Sequence, residues 1–125
     1  MARRRSKTLT EAELRLMEIL WEIGPATVGD VASALPKRQP LAYNTVLTVL
    51  RILEQKGCVR HEKQGRAFVY HPVLGRGQAR HSALQYVLTR FFDNSPELLV
   101  LNILENEKID PAELKRMRKR IEESG

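Results

Sequence analysis

Residues 41–57, LAYNTVLTVLRILEQKG, are the stretch of this 125-residue chain that decides its fold. At about 100° per residue, one stripe about 60° wide holds polar side chains and the opposite side holds aliphatic ones. The polar stripe consists of Asn44, Thr48, Arg51 and Gln55. Gly57 supplies a left-handed stop. The pattern therefore predicts a helix over about 42–56 with one buried face and one polar, almost uncharged face.

The polar face has the chemistry that a reader of the DNA major groove needs. A helix face that recognises bases in this groove is narrow, carries paired hydrogen-bond donors and acceptors, and has no carboxylate to repel the phosphates. Asparagine pairs with adenine and arginine with guanine, while threonine bonds a base or contacts the thymine methyl. Taken alone, the stripe also fits an ordinary solvated helix face.

Two helices are predicted before this stretch. TEAELRLMEILWEIG begins with a capping box, Thr10 and Glu13, and Gly24 with the following proline ends it. TVGDVASALP repeats the pattern, with Thr27 as cap, and predicts a short helix over about 28–35. We expect Trp21 to lie in the core.

After the reading helix, residues 58–72, CVRHEKQGRAFVYHP, change to the alternating period of a strand. We predict a hairpin with its turn at Gln64 and Gly65. The order is then helix-turn-helix plus wing, and Lys63 and Arg66 at the tip can reach phosphates or the minor groove. The alternative is a simple sheet edge protected by lysine.

The charge of the chain is unevenly spread. Of the net +6, residues 1–72 carry 12 Lys or Arg against 7 Asp or Glu, whereas residues 73–125 carry 9 against 8. This asymmetry indicates a polyanion partner for the first part, the alternative being a merely soluble positive surface.

The sequence lacks the motifs that would indicate a disulfide protein, a metal-binding protein, an enzyme or a membrane protein. The single cysteine, Cys58, excludes a disulfide and a thiolate-rich metal site. A two-residue turn at Gln64 and Gly65 would place Cys58 opposite His71, but a metal needs further ligands. No nucleophile–base pairing or phosphate loop indicates an enzyme, so we expect no catalysis and no cofactor. No signal or membrane segment is recognised, which predicts a cytoplasmic protein.

The second half predicts three more helices, over about 76–92, after Ser95, and after Asp110. Residues 98–104, LLVLNIL, are too apolar for a solvated helix and indicate burial between protomers; packing within one protomer is the alternative. The run KRMRKR at 115–120 is expected to be the cationic end of the last helix, which suits its dipole.

The predicted fold is mainly α with a small β-hairpin wing: a flexible basic tail (1–8), a winged-helix DNA-binding domain (9–73) and a three-helix dimerisation domain (74–125). The predicted base-reading residues are Asn44, Thr45, Thr48 and Arg51. The predicted backbone and wing contacts are Tyr43, Lys63, Arg66, Arg3, Arg4 and Arg5. The predicted dimer interface is Leu84, Leu88, Phe91, Leu98, Leu101 and Leu104. A winged-helix protein–protein adaptor is the alternative function.

The chain resembles the penicillinase-repressor family, the BlaI/MecI/CopY group of bacterial winged-helix repressors. The resemblance rests on three motifs that together run from the first helix to the wing. These are E-x-x-x-M-x-x-x-W (Glu13, Met17, Trp21), the segment from Thr45 to Gly57, and G-R-x-F-x-Y-x-P (Gly65, Arg66, Phe68, Tyr70, Pro72). The resemblance extends from about Leu9 to Glu123.

This resemblance implies a homodimeric repressor of transcription that binds inverted-repeat, TACA/TGTA-like operators of double-stranded DNA. It also implies a membrane sensor-transducer peptidase as partner, with the repressor cut in its dimer segment at an Asn-Phe bond. The matching bond here is Asn102-Ile103, where isoleucine replaces phenylalanine. The copper-responsive branch uses a C-terminal cysteine-rich motif that this chain lacks, so copper sensing is not expected.

Overall fold

The computed structural model describes residues 8–124, which contain six helices and three strands. The elements are α1 (Glu11–Ile23), β1 (Ala26–Thr27), α2 (Val28–Ala34), α3 (Tyr43–Gln55), β2 (Val59–Gln64), β3 (Ala67–Pro72), α4 (Arg76–Phe91), α5 (Pro96–Asn106) and α6 (Pro111–Ser124). The predicted class, mainly helical with a small β wing, is confirmed. Within the described residues, no helix combines the length and apolarity that membrane crossing requires.

The chain divides into two compact units, the first ending at Tyr86 and the second beginning at Val87, so α4 contributes to both. The sequence-derived boundaries at 8/9 and 73/74 stay a prediction.

The first two helices begin at the capping boxes that the sequence predicts. The Thr10 hydroxyl accepts from the Glu13 amide at 3.2 Å, and the Glu13 carboxylate accepts from the Thr10 amide at 2.9 Å. Thr27 and Asp30 form the same reciprocal pair at the start of α2. Each box satisfies amides that the first helical turn leaves without partners.

Helix α3, which the sequence predicts to read bases, is held through its aliphatic face. Val46, Leu50 and Leu53 are completely buried. At its end Gly57 has φ of +83°, and the amide of Cys58 donates to the Leu53 carbonyl at 2.8 Å. This is the Schellman arrangement, and it confirms the predicted glycine stop.

The core of the first unit lies between α1, α2, α3 and the sheet. It is built from aliphatic side chains together with Met17, Cys58 and Tyr70. Trp21 was expected there, but it lies half-buried at the margin. Its indole nitrogen donates to the Leu74 carbonyl at 2.8 Å, and the Arg76 guanidinium lies 5.3 Å from the ring centroid. The indole N–H needs a partner, which favours the margin over the apolar centre.

The sheet differs from the prediction in two respects. It has three antiparallel strands in the order β1-β3-β2, because Ala26 and Thr27 pair with the outer edge of β3. The turn of the hairpin is Gly65-Arg66, since Gln64 pairs with Ala67. Gly65 has φ of +62°, which the first central position of a type II′ turn demands.

The shifted turn changes the cross-strand partners of the hairpin. Arg60, not Cys58, is opposite His71, and Cys58 is buried before the ladder begins. The residues predicted to face each other are therefore not a cross-strand pair.

The second unit contains α5 and α6, neither of which has a buried residue. The run KRMRKR lies in the middle of α6, because the helix continues to Ser124 and its last turn carries no basic residue. The predicted pairing of this run with the helix dipole is therefore wrong, since that effect is confined to the terminal turn.

Candidate nucleic-acid interface

The predicted base-reading side chains lie on one exposed face of α3. The exposed residues of that face include Asn44, Thr45, Thr48, Arg51 and Gln55. Arg51 has no ion-pair partner among residues 8–124, so its guanidinium is available for a bidentate contact. The assignment of these side chains to bases stays a prediction, and their placement is compatible with it.

Thr48 is less versatile than the sequence indicates. Its hydroxyl donates to the Asn44 carbonyl one turn earlier, at 2.9 Å. With its proton used in this way, the side chain presents oxygen lone pairs and a methyl group. It is therefore suited to accept from an adenine or cytosine amino group, or to contact a thymine methyl.

The start of α3 differs from the starts of α1 and α2. Its N-cap is Ala42, which makes no side-chain cap hydrogen bond, and Tyr43 at the first helical position is 56 % exposed. The first-turn amides of α3 therefore lack the side-chain acceptor that the capping boxes supply to the other two helices. A phosphate oxygen is a natural partner for such amides, which agrees with the predicted backbone contact by Tyr43.

The tip of the hairpin presents the predicted wing cations. Lys63, at the end of β2, and Arg66, in the turn, are both exposed, and neither has an ion-pair partner in the described part of the chain. Phe68, cross-strand from Lys63, is 49 % exposed. The tip can therefore offer two cations and an apolar ring to a duplex. The predicted tail contacts Arg3, Arg4 and Arg5 lie outside the described residues.

An ion pair with a buried carboxylate fixes the end of α3 to α1. The Lys56 ammonium lies 2.7 Å from the Glu13 carboxylate, whose side chain is 5 % exposed. Burial raises the pKa of Glu13, but hydrogen bonds from Lys56 and Thr10 together with the Lys56 charge outweigh burial, so the pKa is lowered overall. One carboxylate thus caps α1 and sets the position of α3.

Replacing Glu13 by alanine is expected to reduce the free energy of unfolding by about 2–3 kcal/mol, because it removes a cap and leaves Lys56 without its partner. Urea unfolding at pH 7 measures the change. Glu11→Ala, in the same turn, is the matched control and should cost only tenths of a kcal/mol because Glu11 is exposed.

The variant Glu13→Gln removes the charge of the Glu13 side chain but keeps its shape. Since folding lowers the pKa of Glu13, the stability from its charge is present above the unfolded pKa of about 4.3 and is lost as the pH falls through the lower folded value. The difference between the native protein and Glu13→Gln should therefore shrink below about pH 4.5. A difference that is constant from pH 7 to pH 3 would contradict this account.

A contact between α3 and the sheet was missed by sequence reasoning. Both oxygens of Glu54, on α3, lie 2.7–2.8 Å from Nδ1 of His61, on β2, and the backbone amide of His61 donates to the same carboxylate at 3.2 Å. The sequence contains no signal for it, because the contact depends on how β2 returns along α3 after the Gly57 stop. We name this pair the Glu54–His61 clasp.

The predicted dimer residues are mostly exposed in the protomer. Leu84, Phe91, Leu98, Leu101 and Leu104 are between 39 and 72 % exposed, whereas Leu88 is buried within the protomer. The interface stays a prediction. Asn102 and Ile103 lie inside α5, and the Asn102 carbonyl accepts from the Asn106 side chain at 2.8 Å.

Metal ligation finds no support in residues 8–124, where no group of three or more His, Cys, Asp or Glu side chains could hold an ion. His61 is engaged by Glu54, and Nε2 of His71 lies 3.4 Å from Glu62. The pKa of Glu62 is lowered, first by its hydrogen bond from Arg60. Each of the two hairpin imidazoles, His61 and His71, therefore lies beside its own carboxylate.

Comparison with known proteins gives concordant results. A family model described as penicillinase repressor matches residues 9–123. The penicillinase repressor of Bacillus licheniformis is 30 % identical over 115 residues, 92 % of this chain and 90 % of that protein. The transcriptional regulator BlaI of Mycobacterium tuberculosis is 42 % identical over 71 residues, 56 % of this chain and 51 % of that protein. The solution structure of the DNA-binding domain of the repressor BlaI matches with a TM-score of 0.52 and 29 % identity, covering 60 % of this chain and 93 % of that domain.

Proposed function

Because this chain belongs to the penicillinase repressor family, and is thus a DNA-binding transcriptional repressor and not an enzyme, we propose that it acts as a homodimer on inverted-repeat operators. The observation that carries the proposal is the exposed, nearly uncharged face of α3 beside a cationic wing. Since the proposed operator lies in the bacterial cytoplasm, we propose that location for the protein.

Base recognition is assigned to four side chains of α3, of which Arg51 and Asn44 carry the most information. Arg51 is to read guanine through its two parallel donors, and Asn44 is to read adenine. Thr48, with its proton held by the Asn44 carbonyl, acts as an acceptor and methyl contact. Thr45 completes the set at the first turn of the helix.

Affinity for the phosphate backbone comes from different residues. Lys63 and Arg66 at the wing tip supply charge without reading sequence. Tyr43 and the uncapped amides at the start of α3 supply hydrogen bonds to a phosphate in a fixed direction. Arg3, Arg4 and Arg5 are proposed to extend these contacts beyond the winged helix.

The homodimer is supported by the apolar surface of the second unit. α5 has six aliphatic residues among its eleven, and none is buried in the protomer. A helix that is apolar around most of its circumference is normally enclosed by protein. A second copy of the same helix satisfies this requirement and brings two reading helices to one operator.

A membrane sensor-transducer peptidase, acting at Asn102-Ile103, is the proposed route of induction. Because the bond lies inside α5, a protease that binds extended chain requires α5 to open locally first. Cleavage would divide the apolar segment and so weaken the dimer. Replacement of the family's phenylalanine by isoleucine keeps an apolar side chain after the asparagine.

Selection from random duplexes tests the proposal. The full-length protein is incubated with randomised double-stranded DNA at about 0.15 M salt, and the bound duplexes are sequenced. We expect an inverted repeat whose half-sites are one helical turn apart. A protein that enriches no inverted repeat would refute the operator proposal, and one without salt-dependent DNA affinity would fit the adaptor alternative.

A further inference from the structure

We propose that Glu54 and His61 are positioning residues for DNA recognition, which hold the wing against the reading helix and keep the Glu54 carboxylate from competing with DNA for Arg51. The inference rests on the proposed function, because it concerns how Arg51 and the wing are presented to a duplex.

The clasp joins the two DNA-facing elements at a single point. One carboxylate on α3 accepts from the backbone amide of His61 at 3.2 Å and lies within 2.8 Å of its ring nitrogen. It therefore fixes both the strand and the side chain of β2. The wing cation Lys63 is only two residues further along the same strand, so a change in the clasp shifts the wing relative to α3.

The other side of the His61 ring is also fixed. Phe68 meets it edge to face, with 5.1 Å between ring centroids, and the Tyr70 ring lies tilted at 5.6 Å. Both partners belong to β3, so the imidazole is held between the reading helix and the second wing strand. Its position is thus set by α3 and β3 as well as by its own strand.

The solvent exposure of the clasp indicates that it positions β2 relative to α3 more than it stabilises the fold. The side chains of Glu54 and His61 are 32 % and 40 % exposed. Ion pairs at this exposure contribute little to the free energy of folding. A partly exposed contact that ties two recognition elements together is therefore better explained by what it positions.

The charge of Glu54 also bears on Arg51. The two residues are three apart on α3, a spacing at which helical side chains are neighbours. Burial raises the pKa of the Tyr70 hydroxyl, the Glu54 carboxylate raises it further, and the Arg51 guanidinium acts in the opposite direction. Both charges therefore act on one phenol, which places them in the same small region. A carboxylate in that region can attract the guanidinium that is to pair with guanine.

The surroundings of His61 show which charged groups can act on the clasp. The groups facing His61 are Glu54 and, through Tyr70, Arg51 from α3, with Phe68 and Tyr70 from β3. On its own strand, the adjacent Arg60 and Glu62 point to the opposite face and pair with each other at 2.6 Å. The Arg60–Glu62 pair therefore takes no part in the clasp.

The test compares full-length variants by the ratio of their dissociation constants for a scrambled duplex and for the selected operator. His61→Ala leaves Glu54 without its clasp, so we expect the ratio to fall about tenfold. Adding Glu54→Ala to His61→Ala removes the competing carboxylate, so the ratio of the double variant should be about threefold higher than that of His61→Ala. It should stay below the native ratio, because the wing is no longer held against α3. Glu62→Ala, which breaks the neighbouring pair on the opposite face, is the matched control and should leave the ratio unchanged.

The partial recovery of the ratio in the double variant is a readout that a purely structural role would not give, because a structural loss is not reversed by removing a further side chain. An unchanged ratio in His61→Ala, or a double variant no better than His61→Ala, would overturn the proposal. Thermal unfolding of each variant verifies that it is folded. A native protein that does not distinguish the two duplexes would instead refute the proposed function, so the two failures are distinct.

Discussion

Replacing Arg51 by alanine is expected to remove most of the preference for the operator, at about 1–3 kcal/mol per half-site and thus about 2–6 kcal/mol for a dimer. The reason is geometric, because Arg51 is exposed at the centre of the reading face and has no ion-pair partner in the described chain. Its planar group can donate twice to one guanine. Fluorescence anisotropy with the selected operator and a scrambled duplex measures both affinities.

Two further variants separate recognition of the base sequence from electrostatic attraction to the phosphate backbone. Arg51→Lys keeps the charge but not the fork of donors, so it should lose most of the preference while retaining affinity for the scrambled duplex. Lys63→Ala should weaken binding to both duplexes alike and lower the dependence on salt by about one ion per protomer. If Arg51→Ala weakened both duplexes equally, Arg51 would be a backbone contact and its assignment to a base would be wrong.

Replacing Leu101 by glutamate is expected to convert the protein to a monomer and to reduce operator affinity by about 10²–10⁴-fold, because two half-sites are then no longer bound by one linked pair of domains. Leu101 is 47 % exposed in the protomer, so the new charge disturbs the isolated chain little. In a dimer it would be buried beside its symmetry mate without compensation. Sedimentation equilibrium gives the oligomeric state, and anisotropy gives the affinity.

The matched control for this variant is Ala112→Glu, which adds the same charge to the same unit. Ala112 is exposed in the first turn of α6, on the side away from the apolar stripe of Leu114, Met117 and Ile121, and a carboxylate suits a helix start. It should remain a dimer. If Leu101→Glu also sedimented as a dimer with native operator affinity, α5 would not form the interface.

The two effects differ in what they imply for induction. In the proposed homodimer, loss of Arg51 is expected to remove the preference for a sequence but to keep the dimer, whereas loss of the proposed α5 contact would keep each α3 face and remove the link between the two copies. Only the second effect resembles what the proposed cut at Asn102-Ile103 would do. Induction by this route would therefore leave α3 unchanged.

Particular elements show how far prediction from the sequence reaches. The starts of α1 and α2 and the glycine stop of α3 were predicted correctly, because capping boxes and a left-handed glycine are local interactions. The two-residue strand β1 was missed, since two residues carry no alternating pattern and Ala26 pairs with Tyr70 only after the chain has folded back. The hairpin turn was misplaced by one residue because Gly65 can occupy either central position of a turn.

The candidate site was likewise predicted in part from the sequence and in part only from the structure. The polar stripe of α3 follows from helical periodicity, so the exposure of Asn44, Thr48 and Arg51 on one face could be predicted from the sequence alone. The use of the Thr48 proton by the Asn44 carbonyl depends on a rotamer, which the sequence leaves open. Glu13 was predicted as a cap, but its ion pair with Lys56 joins residues far apart in the chain.

The sequence by itself determined the family, the order of helices and wing, and the polar face of α3, because each depends on spacing within one element or on a motif. Only the tertiary structure decided which side chain of α3 meets the wing and which cation meets Glu13. Such contacts form between elements that packing brings together, and the burial of Val46, Leu50 and Leu53 sets the rotation of α3 that makes them possible. The opening stretch thus specifies which side chains form the polar face, and its packing specifies how that face is presented.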